Sequence, residues 1–311
     1  MAIREPQCAG AVLMVRPARF GFNPQTAASN AFQRAPVPVP ALASMARREF
    51  DGVAQALRAA GVEVFVAEDT PEPEKPDAIF PNNWLSLHRD ASLVLYPMCA
   101  PNRRAERREE LVAGIVRDGG FRIARTVDLS YRESQGKFLE GTGSLVLDRA
   151  ARIAYAGLSP RTDLDVLGEF AQRLDYDLVA FDASDETGRP IYHTNVLLTV
   201  GERFAIVCAE AIDEPQRRAD VLARLSSTGH EIVAITRAQV RAFAGNCLQL
   251  ATRDGRAIAI SQTAWDALEP EQRAALERHG AILRVHIPTI ERAGGGGVRC
   301  MLAEIHLPRR A

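Results

Sequence analysis

Cysteine is scarce in this chain: Cys8, Cys99, Cys208, Cys247 and Cys300 are the five among 311 residues. An odd number this small builds no disulfide scaffold and suits a reducing, cytoplasmic compartment. No two are spaced Cys-x-x-Cys, so no structural zinc site is expected. An excess of one charge is also missing. The 38 Lys plus Arg against 39 Asp plus Glu leave a formal net charge of −1, which argues against a nucleic-acid binder that lives on counterion release. No apolar run reaches the roughly 18 residues of a membrane span. The opening MAIREPQCAG has neither the basic n-region nor the apolar h-region of a secretory signal. Phosphate-binding loops are absent: there is no G-x-G-x-x-G and no Walker motif, and the glycine run at residues 294–297 precedes a strand-like stretch, not a helix. No metal and no organic cofactor is expected. What remains is an ordinary globular composition, 47% apolar and 25% charged, read as a single catalytic domain over residues 1–311.

The strongest positive signal is an internal repeat. A short head of small or polar residues followed by apolar alternation occurs as Asn82-Asn83-Trp84-Leu85-Ser86-Leu87 and Thr142-Gly143-Ser144-Leu145-Val146-Leu147. It returns as Thr194-Asn195-Val196-Leu197-Leu198-Thr199, Gly245-Asn246-Cys247-Leu248-Gln249-Leu250 and Val298-Arg299-Cys300-Met301-Leu302-Ala303. The last residues of the copies are 60, 52, 51 and 53 positions apart. Each head leads to a second β-rich stretch (residues 91–96, 152–155, 204–208, 257–260). Then come a charged segment with helical spacing (103–116, 165–174, 213–226, 269–279) and a third short strand (122–124, 177–181, 231–235, 282–286). Such a unit cannot bury its own apolar face, so neighbours must cover it. Five units whose ends meet predict an α/β fold closed into a five-bladed α/β propeller. The opening strand, residues 11–15, would complete the last blade beside residues 301–305. Residues 35–40 read as an extended connector, part of a lid, ahead of a helix over residues 43–60.

Three heads carry reactive side chains. Cys300 follows four glycines, where a flexible backbone can aim N–H groups at developing charge, and a cysteine there is a candidate nucleophile. His193 heads the third copy and Glu140 the second. Matching positions favour a common site with a cysteine nucleophile, a histidine acid–base and a carboxylate that orients it or anchors substrate. Cys247 also stands at a head, while Cys8, Cys99 and Cys208 read as structural.

These residues resemble the guanidine-modifying, or pentein, superfamily: arginine deiminases, arginine dihydrolases, dimethylarginine dimethylaminohydrolases, amidinotransferases and succinylarginine dihydrolases. Leu139-Glu140-Gly141 is similar to the family's acidic-Gly motif, and Gly157-Leu158-Ser159-Pro160-Arg161-Thr162 to its G-x-S-x-R-T block. Ala100-Pro101-Asn102-Arg103-Arg104-Ala105-Glu106 is similar to an A-P-x-R-R-x-E block, and Asp77-Ala78-Ile79-Phe80-Pro81-Asn82-Asn83 to D-x-V-F-x-x-D. The resemblance implies a five-bladed propeller with a central Cys-His-carboxylate site. It makes Cys300, His193 and Glu140 catalytic, and has Arg161, with Arg104 before Arg103, grip a substrate α-carboxylate. Asp77, Asn82, Asn83 and Asn195 would bind the head group, and Asn30 would lie near the entry.

The departures bear on the substrate. Asn83 stands where the block ends in aspartate, Asn82 where dimethylaminohydrolases carry an acid, and Asn195 where deiminases carry aspartate two residues after the histidine. Acids there pair with a guanidinium cation. A carboxamide offers an acceptor and a donor without charge, which suits a neutral ureido group. The expected activity is therefore covalent hydrolysis of L-citrulline to ornithine, CO2 and ammonia. Arginine deiminase or dihydrolase chemistry is the alternative, ahead of amidino transfer and of a binding-only propeller. The expected partners are a small amino-acid substrate and, at most, further copies of the chain, with no nucleic acid and no membrane.

Overall fold

A computed structural model describes residues 5–35 and 41–310. Most of the expected connector, residues 36–40, falls outside them. The described chain forms five three-stranded sheets with helices between. In the first sheet the central strand Ala11–Arg16 pairs parallel with Glu63–Glu68 and antiparallel with Ala303–Glu304. The second sheet holds Leu85–Leu87, Ser92–Leu95 and Arg125–Asp128. The third holds Val146–Asp148, Ile153–Leu158 and Asp177–Asp182. Leu198–Val200, Phe204–Val207 and Glu231–Ala234 make the fourth, and Leu248–Thr252, Gly255–Ser261 and Ala281–Val285 the fifth. In every sheet the middle strand runs antiparallel to the strand after a head and parallel to the third strand.

The physical reason is visible in the strands. Middle strands such as Phe204–Val207 are apolar on both faces and wholly buried, as strands covered on two sides must be. Third strands such as Glu63–Glu68 are charged at their ends and only half-buried. A parallel return needs a crossover, and amphipathic helices supply it. Leu164–Leu174 buries Val166, Leu167, Phe170 and Leu174, and starts at Asp163, whose carboxylate accepts from the N–H of Asp165 and Val166. The expected helix over 103–116 is split into a 3-10 turn, Pro101–Glu106, and an α-helix, Glu109–Asp118. The third strand of the second sheet lies at Arg125–Asp128, three residues later than the expected 122–124.

Four of the five heads are single helical turns: Pro81–Asn83, Gly141–Ser144, Thr194–Val196 and Val298–Met301. Cys300 therefore sits in a turn just before the last strand and does not open it. The heads are linked in chain order. Thr142 Oγ1 donates to the Asn82 carbonyl (3.3 Å), Asn195 Nδ2 to the Thr142 carbonyl (3.2 Å), Asn246 Nδ2 to the Asn195 carbonyl (2.9 Å) and the Arg299 N–H to Asn246 Oδ1 (3.0 Å). Residues 5–10 stitch strands together: Gln7 Nε2 donates to the carbonyls of Leu147 and Val200, both at 2.9 Å. The Ala251 N–H donates to the Ala9 carbonyl. Among the described residues no helix is long and apolar enough to cross a membrane.

Candidate active site

The heads and the glycine run line a small, narrow pocket. Its walls include Cys300, His193, Asp77, Asn83, Arg103, Arg161, Asn30 and Tyr192, with Gly294, Gly295 and Gly296 along one side. Glu140 lies just behind, fully buried. Its Oε2 is 2.8 Å from His193 Nε2 and accepts from Arg161 Nη1 at 3.3 Å, while Oε1 accepts the Cys99 N–H at 3.1 Å. Burial would raise this carboxyl, but Arg161, the His193 hydrogen bond and Arg103 outweigh it and hold it below the usual carboxylate range. An ionised carboxylate only accepts, so Nε2 carries the imidazole proton. Nδ1 then keeps its lone pair and has no protein hydrogen bond among the described residues. Burial outweighs Glu140 for the imidazole and lowers it to about 4, so His193 rests neutral.

Asp77 is held by Asn23 Nδ2 (2.7 Å) and Thr26 Oγ1 (3.2 Å) on Oδ2. Its buried Oδ1 has no partner among the described residues. Arg161 spans from Glu140 to Ser29 Oγ (2.9 Å) and the Thr26 carbonyl (2.8 Å), and its guanidinium lies 5.0 Å from the Tyr192 ring centroid. Tyr192 itself donates to the Gly295 carbonyl at 2.6 Å, and Asn30 Nδ2 donates there at 3.2 Å. The glycine run is thereby pinned against the wall.

The structure separates the two arginines the other way from the sequence expectation. Arg104 is about a third exposed and turns to Glu133 and the Met98 carbonyl. It does not reach the pocket. Arg103 does: it is buried, clamps Glu106 through two bonds (2.9 and 2.8 Å), donates to Asn83 Oδ1 (2.9 Å), and lies 3.6 Å from Glu140 and 3.8 Å from Asp77. Asn82 stands one residue behind the wall. Its Oδ1 accepts from Asn83 Nδ2 at 3.2 Å and its own Nδ2 is unpartnered among the described residues. Asn195 is not part of the wall either; its Nδ2 lies 3.5 Å from Cys300 Sγ. Sequence reasoning missed Asn246, whose Nδ2 is 3.3 Å from the same sulfur, and Tyr192. Asn246 had a signal: it holds the same place in its repeat as Asn83 and Asn195. Among the described residues no cluster of His, Cys, Asp or Glu suits a metal ion.

A model of the eukaryotic N,N dimethylarginine dimethylhydrolase family matches residues 16–307. The chain belongs to that family. It lies in the guanidine-modifying (pentein) superfamily, whose members in this branch are hydrolases of carbon–nitrogen bonds. No curated protein sequence matches it. Among solved structures, it is similar to the substrate-bound N-terminal domain of ArgZ, an arginine dihydrolase from the ornithine–ammonia cycle in cyanobacteria. That match has 18% identity and a TM-score of 0.72 over 95% of this chain and 97% of that one. AgrE in a binary complex with L-arginine matches at 18% identity and TM-score 0.71, over 96% of this chain and 40% of AgrE. A dimethylarginine dimethylaminohydrolase carrying an S-methyl-L-thiocitrulline adduct matches at 15% identity and TM-score 0.63, over 96% and 100%. At these identities the family member shares their fold.

Proposed function

We propose that the protein hydrolyses L-citrulline to ornithine, CO2 and ammonia through a covalent intermediate on Cys300, in one domain whose five sheets form a closed ring. The observation that carries the substrate is the charge of the pocket wall. It holds two arginines and, among the described residues, one acid. Both oxygens of Glu140 and of Glu106 are already engaged, which leaves Asp77 Oδ1 as the free carboxylate oxygen. One such oxygen matches one cationic group. Citrulline brings one, its α-ammonium; arginine brings a guanidinium as well, into a site where an unpaired buried charge is costly. The uncharged carboxamide of Asn83 in the same wall supports the same reading.

His193 Nδ1 takes the thiol proton, and the Cys300 thiolate attacks the ureido carbon. The tetrahedral adduct collapses with loss of ammonia, to which His193 returns the proton. This leaves an S-carbamoyl cysteine bearing the ornithine chain. Water, deprotonated by His193, then cleaves the C–S bond. The freed carbamate falls apart to CO2 and ornithine, so one water is consumed overall. Glu140 orients the imidazole, and Arg161 with Arg103 faces the α-carboxylate.

Citrulline, arginine and dimethylarginine, supplied separately to the purified protein, test the assignment through ammonia and ornithine release. Citrulline should be turned over at least a hundredfold more efficiently, and Cys300→Ala should abolish it. Equal turnover of arginine overturns the neutral-substrate reading. Arginine dihydrolysis is the second reading, favoured if Asp77 Oδ1 takes a guanidinium; two ammonia per ornithine from arginine would identify it.

A further inference from the structure

We propose that Asn246, together with Asn195, is a catalytic residue that stabilises the Cys300 thiolate from behind with neutral amide N–H groups. The proposal rests on Cys300 being the nucleophile. Cys300 lines the substrate pocket but neither carboxamide does, so the sulfur stands between the substrate space and the two amides. Asn246 Nδ2 is 3.3 Å and Asn195 Nδ2 3.5 Å from Sγ. Their oxygens lie 3.7 and 3.8 Å from it. One carboxamide at a time thus accepts the single S–H of the thiol, and both donate to the thiolate, serving both states without a change of charge.

The surroundings hold both groups in place. Asn246 Oδ1 accepts the Arg299 N–H at 3.0 Å and its Nδ2 also reaches the Asn195 carbonyl at 2.9 Å. Asn195 Nδ2 also donates to the Thr142 carbonyl. A Cβ at residue 297 would stand 2.6 Å from Asn246 Oδ1, so the glycine at that place admits the amide. Among the described residues no charged side chain hydrogen-bonds the sulfur. Arg299, on the cysteine's own turn, donates to the Leu302 carbonyl and to Glu304, each at 2.8 Å. His193, Tyr192, Asp77, Arg103 and Arg161 share the pocket wall, and among the described residues none of them makes a hydrogen bond to the sulfur. Burial pushes the thiol above its ordinary range, and the Asn246 hydrogen bond is the first influence drawing it back, ahead of Arg299 and Asn195.

The test is the pH dependence of iodoacetamide alkylation of the full-length protein without substrate, mapped to Cys300 by peptide mass. Wild type is compared with Asn246→Asp, Asn246→Ala and Asn195→Ala, with near-ultraviolet circular dichroism reporting the fold. Removing an amide should raise the titration midpoint by about one unit, slowing alkylation at pH 7.5 about tenfold. Asn246→Asp, which sets a carboxylate against the thiolate, should raise it further. Folded Asn246 variants with the wild-type midpoint overturn the proposal. Should those variants lose the native spectrum, an unmoved midpoint in Asn195→Ala overturns it instead. Turnover that survives Cys300→Ala overturns the nucleophile reading itself.

Discussion

A buried guanidinium that faces three carboxylates cannot be exchanged for a methyl group without leaving those charges uncompensated. Arg103 is in that position, with Glu106 clamped and Asp77 and Glu140 within 4 Å. Arg103→Ala should cost about 3–5 kcal/mol and remove turnover, whereas Arg104→Ala, at a partly exposed ion pair, should stay within about 0.5 kcal/mol. Urea denaturation of both variants checks the pair. Sequence could not choose between neighbours of one type, because the choice is made by the 3-10 turn Pro101–Glu106, which rotates one inward. A second residue-scale outcome concerns His193. Its imidazole is lowered from 6.5 to about 4, so below pH 6.5 the unfolded chain binds the proton first. Stability from this group is complete above 6.5 and is lost as pH falls toward 4, by about 2 kcal/mol at pH 5. His193→Gln removes this source of pH dependence, which stability curves at pH 7 and 5 should show.

At the scale of elements, the head turns depend on missing side chains. A Cβ at residue 143 would stand 2.5 Å from Asn83 Nδ2 and 2.7 Å from His193 Nδ1. Gly143→Ala should therefore push both side chains aside, lowering kcat/KM about a hundredfold and stability by about 1–3 kcal/mol. Gly168, inside the helix Leu164–Leu174, has nothing within 4 Å of its would-be Cβ. Gly168→Ala should stabilise the protein by about 0.5–1 kcal/mol with activity unchanged, measured by thermal melting and initial rates. The same elements show what was legible in sequence. The five copies, the strand-strand-helix-strand order and the pairing of the first strand with the last were readable, because buried strands need apolar runs and the period repeats them. The placement of Asn195 and Asn246 beside Cys300 was not, because a sequence shows that three copies carry asparagine at one place but not which of them meet the sulfur.

Over the whole molecule, the segment at residues 5–10 ties together strands that lie far apart in the chain, and Glu5 is its charged anchor. Its carboxylate is buried and accepts from Arg149 Nη1 (2.7 Å) and from Tyr176 Oη (3.0 Å), with Arg152 also in reach. Burial raises this acid, but Arg149, His88 and His306 outweigh it and bring it down to about 2. An acid lowered on folding stabilises above its unfolded value of 4.5, and that contribution is lost as pH falls from 4.5 toward 2. The 2.5-unit difference corresponds to roughly 3 kcal/mol. None of Glu5's partners lines the pocket around Cys300. Glu5→Gln should therefore lower stability by about 3 kcal/mol at pH 7, with the gap to wild type closing toward pH 3, while kcat/KM per folded molecule is kept. A variant that lost activity at full stability would mean that this end of the fold communicates with Cys300, through Arg149 and Glu304 to Arg299.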